Sequence, residues 1–346
     1  MSLVNSQVLE RFRERLLEKR QNLTEWLQTS SIPKKQIVLG SSTEQDVNAH
    51  LEVLDTALEK AEAETFGLCT VCHEYIETEY LEMDYTTCVC IDHLSPEEIR
   101  RLEYELELSQ VVQKALLPQH VPEIPGIELA AFSRPAEFVG GDYFDFFRFG
   151  DGKHGLAIAD VAGKGVSASL LMASIQTALR ALVPLSESPA EVLMQLNRLF
   201  HHNINFTTFV TLFLGCFDQT THTLTYSNAG HNPPLVVRKQ GNGRDPICWL
   251  RPTGAAIGLV EEFQFRLESA ELSPGDMLLL YRDGVTEAIN PQSEQFGEDR
   301  LVDVVRQASH LSARELVRTL RQVLQEFSNG QPLADDTTIV ACKFDN

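Results

Sequence analysis

The pattern of apolar and polar positions changes character twice along the chain. Residues 9 to 27 place Leu9, Phe12, Leu16, Leu23 and Leu27 on one stripe with charged residues between them, which predicts a helix. A break follows at Ser30-Ser31-Ile32-Pro33 and is extended by Gly40-Ser41-Ser42. From Thr43 to Glu64, Val47, Leu51, Leu54, Leu58 and Ala61 alternate spacings of four and three, the seam of a helix that packs along another helix. Together these segments predict an antiparallel helical hairpin. A third helix is predicted from Pro96 to Leu117: Ser95-Pro96-Glu97-Glu98 supplies a cap, a first-turn proline and two acids for the positive end of the dipole. Ile99, Leu102, Leu106, Val112 and Leu116 give it an apolar seam, and Pro118 ends it.

From Gly126 the period shortens to that of strands. Short apolar or alternating runs lie at Ile127 to Phe132, Tyr143 to Phe149, Gly155 to Asp160, Thr208 to Phe217, Thr223 to Ser227, Leu235 to Arg238, Phe263 to Leu267, Met277 to Tyr281 and Thr338 to Phe344. Helical patterns intervene at Ser167 to Leu182, Pro189 to Phe200, Glu298 to Ala308 and Ala313 to Phe327. Several consecutive strands without helices between them exclude a doubly wound parallel sheet. The expected class is α+β: an α/β/β/α sandwich of antiparallel sheets flanked by helices, preceded by the helical hairpin.

Length and charge narrow the picture. At 346 residues the chain suits one catalytic domain with a smaller one attached. The expected division is 1–95 for the hairpin module, 96–118 for a linker helix and 119–346 for the catalytic domain. A formal net charge of −20 argues against nucleic acid or anionic lipid as a direct partner. The N-terminus has no basic start followed by an apolar stretch, and the sequence shows no apolar run near the roughly 18 residues that span a bilayer, so the expectation is a cytosolic protein with reduced thiols.

Four of the seven cysteines crowd into one segment: Cys69, Cys72, Cys88 and Cys90, followed by His93. Cys69 and Cys72 form a CxxC pair and Cys90 with His93 a CxxH pair, close to the spacing of two knuckles facing one tetrahedral zinc. Three thiolates and an imidazole leave no open position, so this zinc would be structural. Cys88 could replace Cys90 as the third thiolate. The first hundred residues resemble the DksA/TraR zinc-finger family in the hairpin, in Leu54-Asp55-Thr56-Ala57-Leu58-Glu59-Lys60-Ala61-Glu62 leading into Phe66-Gly67-Leu68-Cys69, and in Leu81-Glu82 ahead of Cys90 and His93. That resemblance implies the fold and the zinc. It also implies RNA polymerase as a partner through an acidic hairpin tip, whereas the tip here, Ser31-Ile32-Pro33-Lys34-Lys35-Gln36, is basic.

The candidate chemistry lies downstream. Val139-Gly140-Gly141-Asp142, Ile158-Ala159-Asp160-Val161, Leu280-Tyr281-Arg282-Asp283-Gly284 and Asp335-Asp336-Thr337-Thr338 each put an acid at the end or start of an apolar run. Alone, each reads as a turn. Four such carboxylates, with almost no histidine or cysteine nearby, suit a hard divalent cation and suggest a metal-dependent hydrolase. Asp145, Asp151 and Asp336 read as solvated, with the alternative that Asp336, next to Asp335, supports the ligands from behind; His231 in its proline-rich turn reads as structural, and Cys216, Cys248 and Cys342 as ordinary small apolar residues.

Five motifs in order carry a second resemblance: Pro135 to Phe146, Asp160 to Gly165, Asn228-Ala229-Gly230-His231-Asn232-Pro233-Pro234, Asp283-Gly284-Val285-Thr286-Glu287 and Asp335 to Thr338. They resemble the bacterial stress-response and sporulation branch of the metal-dependent serine/threonine protein phosphatases, over about residues 108–346. The resemblance implies two Mg²⁺ or Mn²⁺ ions with a water or hydroxide between them that attacks phosphoserine. Asp160 matches the bridging carboxylate, the carbonyl of Val161 a backbone ligand, and Asp142, Asp283 and Asp335 the remaining carboxylates. It further implies a phosphorylated anti-sigma-factor antagonist as substrate. The order of the parts suggests an N-terminal module that answers to an upstream regulator and sets activity by pairing two chains through Ile99, Leu102 and Leu106, orienting the helix at 167 to 182. The competing reading is a polymerase-associated zinc hairpin with a silent phosphatase domain.

Overall fold

The computed structural model describes residues 6–29, 44–63, 65–76, 80–81, 87–201, 209–239, 246–331 and 335–345. The chain divides into two compact units, Met1–Tyr104 and Glu105–Asn346.

In the first unit, α1 (Ser6–Thr29) and α2 (Glu44–Glu62) pack on each other. Phe12 meets Phe66 with ring centroids 5.8 Å apart, and Arg20 pairs with Asp55, so the helices run antiparallel. Phe12, Leu16, Leu54 and Leu58 form a small core with Phe66, Ile76 and Leu81, which the heptad-like spacing of the apolar positions places on one face. The basic stretch Ser31 to Gln36 lies outside the described residues. A third helix, α3 (Pro96–Leu116), opens on the expected cap: Ser95 Oγ accepts from the Glu98 N–H at 3.3 Å while the Glu98 carboxylate accepts from the Ser95 N–H at 2.9 Å. Ile99 and Val112 of its expected seam are exposed, and Leu102, Leu106 and Leu116 are half-buried.

The second unit holds two five-stranded antiparallel sheets. One has the order β1-β10-β9-β6-β7, with β1 at Ile127–Arg134, β10 at Thr337–Phe344, β9 at Met277–Tyr281, β6 at Leu235–Val237 and β7 at Ile247–Trp249. The other has the order β2-β3-β4-β5-β8, with β2 at Tyr143–Arg148, β3 at His154–Val161, β4 at Val210–Asp218, β5 at Thr223–Ala229 and β8 at Glu268–Glu271. Between them lies a core that includes Phe144, Ile158, Phe213, Leu278, Leu280 and Val340. On the outer face of the β2 sheet sit α4 (Gly165–Leu182) and α5 (Pro189–His201). Ala168, Met172, Ile175 and Leu179 of α4 are buried at helical spacing. By length and composition Gly165–Leu185 passes for a membrane span, contrary to the reading that no such run exists; that face of α4 is part of the core. The β1 sheet is covered by α7 (Gly297–Ala308) and α8 (Ala313–Ser328), numbered after the single turn α6 (Asp283–Thr286). This is the α/β/β/α sandwich expected from the strand pattern.

One strand expectation is corrected, and one strand lies outside the expected set. Phe263 to Leu267 is not a strand: Phe263 and Phe265 alternate inward against the α4 and α5 core, but the backbone pairs only from Glu268 onward. The three-residue β7 was not expected, being too short to show a period of two.

Candidate active site

The site is assembled from the ends of both sheets. Asp142 precedes β2 and Asp160 lies near the end of β3, both in one sheet. Asp283 opens the turn after β9, and Asp335 stands just ahead of β10, in the other. Drawn from positions 142 to 335 of the sequence, the four meet at one side chain, Arg282. Its guanidinium reaches Asp142 Oδ1 at 2.6 Å and Asp335 Oδ2 at 3.1 Å, and it pairs directly with Asp160 and Asp283.

The first carboxylate is held by a buried frame. Thr338 Oγ1 donates to Asp142 Oδ2 at 2.6 Å, and Ser133 and Thr338 share a hydroxyl contact at 2.9 Å. Asp336 accepts from the N–H groups of Ala136 at 2.8 Å and Gly141 at 2.9 Å. It is buried rather than solvated: its carboxylate fastens the loop that carries Asp142. A side chain at Gly140 would collide with that carboxylate, and one at Gly284 with the Asp336 backbone carbonyl, so both glycines are demanded by close approach. Gln113, the buried residue of α3, clamps the loop from the other side. Its Nε2 donates to the Gly140 carbonyl at 2.6 Å and its Oε1 accepts from the Gly140 N–H at 3.1 Å.

Electrostatics follow from burial. Desolvation pushes the Asp142 carboxyl well above the usual carboxylate range, against the opposing pull of Arg282. Asp160 is pushed up to about 6 for the same reason, again opposed by Arg282. Burial disfavours the charge on Arg282, but the surrounding aspartates outweigh it, so the guanidinium is held more firmly charged than usual. His231 is buried and pushed down to about 3, by desolvation first and by Arg282 second. Its Nδ1 lies 2.9 Å from Thr211 Oγ1, and Asn228 binds both its N–H and its carbonyl, which agrees with a structural role.

Asp145 is also buried, against the expectation of a solvated residue. It accepts from the Tyr143 hydroxyl at 2.7 Å and pairs with Arg180 at 2.9 Å, tying β2 to α4. Asp151 is exposed and pairs with Lys153. Cys216 and Cys342 are buried as expected, whereas Cys248 is exposed on β7. The Val161 carbonyl lies beside Gly141, next to Asp160 in the chain.

The donor set fits divalent ions of the Mg²⁺ or Mn²⁺ kind: hard carboxylate oxygens, without thiol or imidazole among them. Asp142 Oδ1 is an acceptor buried without an aligned hydrogen bond, as a metal-facing oxygen would be. Asp283 and Asp335 also cluster with Glu287, one turn beyond Asp283, with carboxylate oxygens within 4.8 Å of one another. Glu287 and Arg282 were not singled out from the sequence. Glu287 shows itself there only as the acid four residues after Asp283 on a helical turn.

A second group lies in the first unit. Cys69, Cys72, Cys90 and His93 place their ligand atoms within 4.8 Å of one another. Cys72 Sγ and Cys90 Sγ are 3.8 Å apart, too long for a disulfide and close to the edge of about 3.7 Å that Zn–S bonds of about 2.3 Å give a tetrahedron. Cys90 Sγ stands 3.1 Å from His93 Nδ1. Backbone N–H groups pull the Cys69 thiol down to about 6 despite its desolvation. Cys88 is not part of this group; its carbonyl accepts from the Thr70 N–H at 2.8 Å.

A family profile described as Stage II sporulation protein E (SpoIIE) matches residues 150–345. Phosphoserine phosphatase RsbU of Bacillus subtilis is 30% identical over 244 residues, covering 70% of this chain and 71% of that protein. The SiaA-PP2C domain of Pseudomonas aeruginosa superposes with a TM-score of 0.62 at 22% identity, over 72% of this chain and 99% of that one. The RsbU and RsbW domains of Rv1364c from Mycobacterium tuberculosis give a TM-score of 0.56 at 29% identity, over 66% of this chain and 63% of that one, less than two thirds of its length. Fold and relatives define a metal-dependent protein serine/threonine phosphatase with a PP2C-type domain. Within that class the chain belongs to the SpoIIE family.

Proposed function

We propose that the chain hydrolyses phosphoserine on a regulatory protein, an anti-sigma-factor antagonist of the STAS type, at a centre where Asp142, Asp160, Asp283, Asp335 and the Val161 carbonyl hold two Mg²⁺ or Mn²⁺ ions. The observation that carries this is the convergence of four aspartates from the ends of two sheets. When bound, such ions supply Lewis acidity and a hydroxide near neutral pH. The protein's own residues orient the centre: Thr338 fixes one oxygen of Asp142, while Asp336 and Gln113 hold the Gly140-Gly141 loop. No side-chain nucleophile is required.

A cleft of about 430 Å³ is lined by Gly284, next in the chain to Asp283, by the cross-strand neighbours Thr337 and Arg134, and by Arg321. Arg321 stacks on Phe132, 3.8 Å from the ring centroid, which stiffens a cationic wall suited to a phosphorylated protein segment. RsbU, the phosphoserine phosphatase among the relatives, supports the choice of phosphoserine.

In the first unit, Cys69, Cys72, Cys90 and His93 hold one structural zinc in a DksA/TraR-like module that answers to an upstream regulator. Two chains pair through Ile99, Leu102 and Leu106, which share one face of α3, Ile99 exposed and Leu102 and Leu106 half-buried. The protein works in the cytosol. To test the substrate, phosphorylated antagonist domains and unrelated phosphopeptides are offered at equal concentration with Mn²⁺. One antagonist is expected to give a far higher kcat/KM than the rest; equal, slow action on all of them would contradict the assignment.

A further inference from the structure

Arg282 follows the apolar run of β9 and is anchored by its backbone, whose N–H donates to the Thr338 carbonyl at 3.0 Å. Only 5% of its side chain is exposed, an unusual depth for an arginine, and its guanidinium is shared among Asp142, Asp160, Asp283 and Asp335. Those are the same four carboxylates that the proposed metal centre uses. A single carboxylate has lone pairs enough for both a guanidinium and a metal, but a guanidinium that contacts all four side chains at once fills the space among them that ions held by the same carboxylates would need.

The fit of the guanidinium is also incomplete. It brings one positive charge to four negative ones. Its Nε and Asp142 Oδ1, both buried, lie 2.6 Å apart without the alignment of a hydrogen bond. A planar fork satisfies one or two carboxylates well and four poorly. Such an arrangement keeps the acidic cluster from repelling itself, yet leaves an incentive for a doubly charged ion to replace it.

We propose that Arg282 is a tethered cation that competes with the divalent metal for these aspartates, so that metal loading requires its guanidinium to leave the cluster. The residue thereby raises the metal concentration at which the centre fills and keeps the fold intact below it. This rests on the reading of the four aspartates as the metal centre, and the test separates the two.

Wild type, Arg282→Gln and Arg282→Lys are purified in Mn²⁺, and their Mn²⁺ affinities are read by competition with a chelator. A metal-free form too unstable to isolate therefore does not remove the measurement. Arg282→Gln is expected to bind Mn²⁺ about tenfold tighter or more, the equivalent of one charged hydrogen bond no longer in competition, with Arg282→Lys in between. Removal of Mn²⁺ should lower the melting temperature of Arg282→Gln more than that of wild type. Affinity in Arg282→Gln equal to or weaker than wild type overturns the competition and leaves the metal centre standing. Absence of Mn²⁺ binding in all three proteins overturns both.

Discussion

At the scale of single residues, burial decides which polar groups matter. His231 lies in a turn rich in proline and is pushed down to about 3 by burial, so in the folded protein it stays neutral well below the ordinary imidazole range. The unfolded chain binds a proton at this position below the ordinary value near 6.5, and the folded chain does not until far lower. Between those limits the unfolded state holds more protons, so this residue's contribution to stability is complete above about 6.5 and is lost as pH falls. His231→Asn should show a shallower loss of melting temperature between pH 6.5 and 4 than wild type; an identical slope would mean that the histidine is not buried neutral. The sequence made the aspartates legible only as a set: each alone reads as a turn, and it is four of them in the order of the resembling motifs that point to a metal. It hid Arg282, since an arginine just after an apolar strand normally reads as the point where the chain returns to water. Asp145 and Asp336 were hidden for a related reason: the partners that bury them, Arg180 for the one and the N–H groups of Ala136 and Gly141 for the other, are brought up only by tertiary folding.

At the scale of elements, periodicity placed most helices and strands within a few residues of their observed ends. Apolar spacing is set by the face each element buries, as along α4 and β10. What it could not show is a polar residue facing inward. Gln113 occupies a position on α3 where a helix reader expects solvent, and instead satisfies both backbone groups of Gly140. Removing it leaves a buried donor and acceptor unpaired, at a cost of about 1–3 kcal/mol each when no water replaces the amide. Gln113→Ala is therefore expected to weaken Mn²⁺ affinity and turnover together while the sheets remain folded by circular dichroism. Unchanged metal affinity would show that the Gly140-Gly141 loop does not need the clamp.

At the scale of the whole molecule, the two units carry separate chemistry: soft thiolates in the first and hard carboxylates in the second. Their metals should be separable on that ground. The purified protein is expected to hold about one zinc per chain, as a closed four-ligand site does. Cys69→Ser should lose it, while Asp160→Asn should keep it. Zinc retained by Cys69→Ser, measured by elemental analysis, would contradict the assignment. The CxxC and CxxH spacing made this group visible in the sequence, and the choice of Cys90 over Cys88 required the fold, because both residues lie within reach along the chain.

The central claim is that four aspartates, gathered from two sheets, form one metal-dependent hydrolytic centre. Its most direct test is phosphate release from a phosphoserine protein by the full chain, followed across a Mn²⁺ titration in wild type and Asp160→Asn, with the melting curve of each recorded alongside. Wild-type turnover should rise to saturation with Mn²⁺, vanish in chelator and return on re-addition. Asp160→Asn should remain folded and lose more than about a hundredfold in rate, beyond the loss typical of residues that merely support a metal ligand. Turnover that survives the chelator, or full activity in Asp160→Asn, would contradict the account.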